Sequence, residues 1–296
     1  MTLFDGQPME YIPKQQKSSK VIISASRMTD MPKFYPKSII EEVNLRLKKG
    51  VQIHTLVLWT KHPKSLLLEP LYSYLNELKR SGVQLFIQLT ITGLGGKTLG
   101  YRTDGRPLIL EPGAPDYLDA VATIPRLIEL TGNPERIRLR VDPIIRIRDY
   151  RGKLFSSLKM LPTIIDLTRV HGLKHYSFSF LEEGMHQKVD RRFEDLGCKV
   201  VSPSEKEREA VKLWLVKSEK KYEVFISTCC VPGFGETKCI DGDLLKELHD
   251  NKENCDLKQP KKRDLCGCTN SIDIGGWPPK KCFTGCDYCY ANAMYR

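Results

Sequence analysis

The sequence predicts a parallel α/β fold in which six strands alternate with helices. Three observations carry that prediction. Six short segments rich in Val, Ile, Leu and Phe are spread over residues 20–230. Between them, Leu, Ile and Val recur at helical spacing. The six segments are apolar at nearly every position, which suits strands buried on both faces of a parallel sheet. An open six-stranded barrel and a doubly wound sheet both satisfy the pattern; a full eight-stranded barrel is not visible.

The strands are expected at 20–26 (KVIISAS), 52–59 (QIHTLVLW), 83–92 (VQLFIQLTIT), 137–145 (IRLRVDPII), 175–180 (HYSFSF) and 222–227 (YEVFIS). After the first, Ile39, Ile40, Val43 and Leu47 share one helix face, and Gly50 closes that helix. Leu67, Leu71, Leu75 and Leu78 repeat the pattern ahead of Gly82. Ile124, Leu127 and Ile128 continue it, as do Ile164, Ile165 and Leu167 ahead of Gly172. Val211, Leu213, Leu215 and Val216 fit a helix before the sixth strand. Residues 1–19 read as a polar arm, 20–230 as the strand–helix body and 231–296 as a cysteine-rich segment. Within the last, 251–263 (NKENCDLKQPKKR) reads as an exposed loop.

The 296 residues are 41% hydrophobic and 28% charged, which excludes wholesale disorder. No apolar run approaches the roughly 18 residues of a membrane span, and residues 1–17 lack the apolar core of a secretory signal. A cytoplasmic protein with no membrane partner is the expectation. Lys and Arg outnumber Asp and Glu 47 to 36, a net charge of +11. That balance favours acidic partners, nucleic acid among them.

Each strand ends in polar residues. Thr60 and Lys61, Thr90 and Thr92, Arg140 and Asp142, and Ser177 and Ser179 are the clearest. Parallel α/β folds bind ligands at the carboxyl ends of their strands, so these are candidate binding residues. For any single Ser or Thr there, helix capping is the better explanation. Arg140 and Asp142 differ, because they occupy alternate positions of an apolar strand and face one side. Charge in such a place is costly unless paired or liganded, so these two read as ligand-facing residues, with a mutual ion pair as the alternative.

The cysteines are the most informative residues. Six of the ten, Cys255, Cys266, Cys268, Cys282, Cys286 and Cys289, lie from residue 255 onward. Without an export signal, such clustering reads as metal or iron–sulfur ligation in a reducing compartment. Within CFTGCDYCY, 282–290, Cys282, Cys286 and Cys289 can bind three irons of a 4Fe-4S cluster and leave the fourth iron open. Cys266 and Cys268, completed by Cys229, Cys230, Cys239 or Cys255, are candidates for a second cluster or a zinc ion. They also fit simple buried thiols. A zinc ribbon of Cys266, Cys268, Cys286 and Cys289 fits less well. Its first pair has one intervening residue where a knuckle wants two, and Cys282 is left over.

The spacing CxxxCxYC resembles the cluster motif of the radical S-adenosylmethionine (SAM) superfamily. The resemblance implies a partial (β/α)6 TIM-like barrel, with the cysteine loop folded over its mouth. It also implies a 4Fe-4S cluster on Cys282, Cys286 and Cys289, with SAM chelating the open iron and Tyr288 packed near its adenine. Reductive cleavage of SAM would then give a 5′-deoxyadenosyl radical that abstracts hydrogen from a substrate. A flavodoxin or ferredoxin would supply the electron. Lys61 or Arg140 would meet the SAM carboxylate, with Asp142, Thr90, Thr92, Ser177 and Ser179 around the ribose or substrate. GCDYCYAN and the pair Thr60-Lys61 are further similar to spore photoproduct lyase, which brings nucleic acid in as a substrate class. The motif normally follows the first strand; here it comes last. The chain in this respect resembles a radical-SAM-related family whose motif lies at the C-terminal end. The usual GGE motif is absent, since Gly95-Gly96 is followed by Lys97. The competing expectation is a nucleic-acid-binding protein held together by zinc or an iron–sulfur knot, without SAM chemistry.

Overall fold

The computed structural model describes residues 20–260 and 264–294; the arm assigned to 1–19 lies outside them. Six strands, β1 (Val21–Ala25), β2 (Ile53–Thr60), β3 (Gln84–Thr90), β4 (Ile137–Ile144), β5 (His175–Phe180) and β6 (Phe225–Thr228), fall where the sequence places them. A seventh, β7 (Ile272–Asp273), was not expected. All seven form one parallel sheet in the order β6-β5-β4-β3-β2-β1-β7. The first six run across the sheet without a reversal, whereas a doubly wound sheet requires one. The doubly wound alternative is therefore excluded. The ends β6 and β7 are not paired with each other among the described residues, so the sheet is open and no closed barrel forms.

Helices follow the strands: α1 (Met31–Phe34) and α2 (Pro36–Lys48), α3 (Leu71–Arg80), α4 (Tyr117–Val121) and α5 (Ile124–Thr131), α6 (Met160–Arg169), then α7 (Gln187–Asp195) and α8 (Glu205–Tyr222). Their apolar stripes form one core with alternate strand residues. Ile39, Leu75, Leu127 and Ile164 are buried there with Ile23, Leu56, Leu58, Ile87, Leu139 and Phe178. No helix of the described residues is long and apolar enough to cross a membrane. On α8, Val211 and Leu215 join the core while Leu213 and Val216 face solvent, so only the i, i+4 pair of that stripe is buried. A Ser204–Glu207 capping box starts this helix, and it runs on to Tyr222. The sixth strand accordingly begins three residues later than its apolar pattern suggested.

Because strand residues alternate in direction, the opposite face has its own inventory. It is more polar than the sequence pattern implied. Register aligns Trp59, Gln88 and Arg138 in one row and Thr90, Arg140, Ser177 and Ser227 in the next. The chain after β6 fills this face. α9 (Gly242–Leu248) and its flanks pack Ile240 and Leu245 against Ile22, Val57, Trp59 and Phe86. The polar side chains find main-chain partners there. Gln84 donates to the Leu245 carbonyl at 3.0 Å, and Gln88 and Arg138 donate to the Cys239 carbonyl at 2.7 and 2.9 Å. Within the expected loop 251–263, the described residues are mostly exposed, but Cys255 is buried.

His54 ties this filling segment to β2. It is fully buried, with Nε2 at 3.0 Å from the Glu253 carbonyl and its ring 4.6 Å from that of His249. Burial pushes its pKa down to about 4, against the opposing pull of the Glu253 carbonyl, and His249 adds a further lowering. An unfolded imidazole titrates near 6.5, so the folded state binds fewer protons between the two values. The stability from a neutral His54 is present above about pH 6.5 and is lost as pH falls toward 4, by about 3 kcal/mol. Urea midpoints of wild type and His54→Gln across that window check this. The wild type should lose the larger share of its stability, and equal slopes for both proteins would refute the assignment.

Candidate functional site

The final loop is held by its own backbone. Cys282 N–H donates to the Asn292 carbonyl and Met294 N–H to the Cys282 carbonyl, each at 2.8 Å. At the turn, Gly285 has φ +70°, and a side chain there would come within 2.9 Å of the Met294 carbonyl oxygen. Glycine is thus required on both counts.

This loop rests on the segments that follow three strands. After β1, Thr29 donates to the Lys280 carbonyl at 2.7 Å, Tyr35 donates to the Lys281 carbonyl at 2.9 Å, and Phe34 packs edge-on to Phe283. After β2, His62 Nε2 lies 2.9 Å from the Thr284 hydroxyl. After β3, Gly113 N–H donates to the Thr284 carbonyl at 3.0 Å and Leu110 accepts from Asp287 N–H at 2.9 Å. A Cβ on Gly113 would stand 2.6 Å from the Thr284 oxygen, so the two backbones meet with no room between.

Cys286 is buried, and Cys282 and Cys289 are half-buried. Burial pushes the Cys286 thiol far above its ordinary pKa, opposed by the nearby Lys61 ammonium. Burial likewise raises Cys289. Each of the two is raised further by other cysteines of the loop, so the three thiols lie within one another's electrostatic reach. Among the described residues, no three His, Cys, Asp or Glu side chains already stand as ligands of a single ion.

Beneath the loop sits a network that the sequence reading missed. Glu111, 2% exposed, accepts from Lys61 Nζ at 3.1 Å, from Thr92 Oγ1 at 2.8 Å and from the Tyr288 hydroxyl. Desolvation alone would lower the Lys61 pKa, but Glu111 and then the Cys286 thiol outweigh it and hold it raised. Tyr288 is buried, and its phenol is pushed far up by burial, Cys286 and Glu111. Lys61, Thr90, Thr92 and Glu111 line a narrow pocket. Glu111 lies in an irregular stretch with no period to flag it. The one available signal was chemical: a strand-end lysine headed for burial calls for a carboxylate. Asp30 was missed in the same way. It is buried, accepts from the Thr60 hydroxyl at 2.9 Å and the Lys61 N–H at 2.7 Å, and so ties the end of β1 to the end of β2.

The other strand-end candidates form a second group. Asp142 accepts from Arg140 and from the Ser179 hydroxyl, so the mutual ion pair, the alternative to a ligand-facing role, is made. Arg140 also lies over the Trp59 ring at 5.0 Å and donates to Cys239 Sγ at 3.6 Å. The buried Ser177 hydroxyl has no partner among the described residues. Cys239 Sγ is 3.4 Å from Cys229 Sγ, and Cys239 N–H donates to Cys268 Sγ at 3.1 Å. An open cleft is lined by Arg27, Trp59, Cys239, Cys266 and Cys268. The cysteines therefore fall into two groups, and the fold does not make the ribbon set of Cys266 and Cys268 with Cys286 and Cys289. Cys268 joins Cys239, while Cys286 lies by Lys61. Cys230 follows Cys229 at φ +52° and is half-buried. Cys255 stands apart, donating to the Gly242 carbonyl at 3.5 Å.

No curated protein and no solved structure matches this chain. A family description, domain of unknown function DUF1848, matches residues 22–291. But for Val21, that span takes in the seven-stranded sheet, together with the whole of 282–290, and the chain belongs to the DUF1848 family.

Proposed function

We propose that this chain is an iron–sulfur enzyme of the radical SAM type, with Cys282, Cys286 and Cys289 holding a 4Fe-4S cluster. The observation that carries the reading is the seat of the three-thiol loop. It lies across the segments after β1, β2 and β3, with the half-buried ammonium of Lys61 near Cys286. The donor set fits such a cluster. Ligands at about 2.3 Å around a single tetrahedral ion stand about 3.8 Å apart, whereas thiolates of a cube bind separate irons and spread wider. A loop whose thiols feel one another without converging on one point suits the second case. Lys61 favours thiolate at Cys286, the form that ligation needs. When bound, cluster and SAM together supply reductive cleavage of SAM and hydrogen-atom abstraction from a substrate.

The chain's own residues bind, orient and exclude water. The six sequential strands support the finer reading of a partial (β/α)6 barrel with the cysteine loop over its mouth. Lys61 and Arg140 remain the cations for the SAM carboxylate, each already balanced by Glu111 or Asp142, so a bound carboxylate would share them. With its hydroxyl held by Glu111, Tyr288 would offer the adenine its ring. Thr90, Thr92, Ser177 and Ser179 remain candidates for the ribose or substrate. The charge of +11 suits an acidic electron donor such as a flavodoxin or ferredoxin, and an anionic substrate such as nucleic acid.

The test is anaerobic reconstitution of the full chain with iron and sulfide, followed by dithionite and SAM. About four irons per chain and formation of 5′-deoxyadenosine are expected. Protein that takes up no iron or sulfide would overturn the proposal. So would a loaded cluster that never cleaves SAM. Steeply salt-dependent nucleic-acid binding without SAM turnover would instead favour the competing reading.

A further inference from the structure

We infer that Cys229, Cys239, Cys266 and Cys268 form a structural zinc site, separate from the Cys282–Cys289 loop, that fastens the C-terminal segment to the inner face of the sheet. Three stretches of chain converge there. Cys229 is the residue after β6, and its N–H donates to the Phe178 carbonyl at 2.8 Å, which continues the ladder with β5. Cys239 immediately precedes the turn into α9. Cys266 and Cys268 flank Gly267, whose N–H donates to the Thr237 carbonyl at 3.0 Å.

The spacing selects a single ion over a cube. Cys229 and Cys239 have their sulfurs 3.4 Å apart, close to the roughly 3.8 Å of two thiolates on one tetrahedral zinc. Cys268 Sγ accepts from the Cys239 N–H at 3.1 Å, which sets it beside the same residue. Cys266 is half-buried and lines the same cleft as Cys239 and Cys268, which makes it the fourth ligand. No three of these thiols already surround one point, so closing the site requires Cys266 and at least one of the other side chains to turn inward. All four thiols are free of disulfides.

Charge points the same way. A zinc ion with four thiolates carries a net double negative charge. Buried anions need compensation. Arg138 and Arg140 stand on β4 directly beside these cysteines. Arg140 donates to Cys239 Sγ, and Arg138 donates to the Cys239 and Lys238 carbonyls. Two guanidiniums in the middle of a sheet are expensive, and Asp142 meets only one of them. A thiolate cluster accounts for both. Four protein ligands also leave no open position, which is the mark of a structural rather than a catalytic zinc.

The experiment uses the full chain carrying Cys282→Ala, Cys286→Ala and Cys289→Ala, so that success or failure here is independent of the cluster reading. Purified with reductant, loaded with zinc and desalted, it should retain one zinc per chain. Adding Cys239→Ser should lower zinc affinity on the order of tenfold or more, whereas Cys255→Ser should not. Cobalt in place of zinc should give the absorption of a tetrahedral thiolate site, lost in Cys239→Ser. Should the triple-alanine chain not fold, cobalt titration of the wild-type chain against Cys239→Ser alone reads the same site. A zinc-free protein, zinc unaffected by Cys239→Ser, or uptake of iron and sulfide by the triple-alanine chain would overturn the inference.

Discussion

Cys286→Ala is expected to abolish iron–sulfur loading, dropping iron from about four per chain to below one after anaerobic reconstitution, and to remove SAM cleavage with it. Cys286 is the most deeply buried of the three loop cysteines, and it is the one that Lys61 faces. Its backbone carbonyl also accepts from Cys289 N–H at 3.0 Å, so it organises the turn that presents the third thiol. A cube that already lacks one protein ligand has no spare thiolate to give up. Loss of a buried sulfur leaves only a small void, so the fold should survive, and an unchanged urea midpoint would show it. Cys255→Ser, far from the loop in contact terms, is the matching control and should load iron normally. Full iron uptake by Cys286→Ala would sink the assignment.

Glu111→Ala is expected to be the most destabilising single change in the strand-end network, by about 3–5 kcal/mol. It leaves the half-buried Lys61 ammonium without its carboxylate and the Thr92 and Tyr288 hydroxyls without their shared acceptor. Because Tyr288 belongs to the cysteine loop, the damage should appear there first. Trypsin should cut at Lys280 or Lys281 well before the body of the protein unfolds. Removing both charges, as in Glu111→Gln with Lys61→Met, should recover much of the loss, since an apolar pair can replace a buried ionic one. Urea denaturation of the single and double variants measures this. An additive double variant would mean that the two side chains do not act as a pair.

How far the sequence could be read depended on whether a feature repeats. The strand at 175–180 was placed to the residue, because its apolar run is bounded by Lys174 and Leu181-Glu182-Glu183. The strand β7 was invisible: two exposed residues, Ile272 and Asp273, carry no alternation. The polar inner face was misjudged because Gln84, Gln88 and Arg138 take main-chain carbonyls more than 95 positions away, and no local pattern announces such a partner. At the site, the cysteine spacing and the alternate Arg140 and Asp142 were legible because spacing alone defines them. Glu111 was not, because its meaning comes from three side chains drawn from different loops.

The inner face of the sheet has a temporal consequence. During synthesis, all six sequential strands are made before the stretch that covers Gln84, Gln88 and Arg138. The nascent body must wait with its polar hollow wetted until that later stretch arrives to dry it. Maturation therefore runs from the shell inward, so that the hollow and any metal it takes up are completed after the sheet itself.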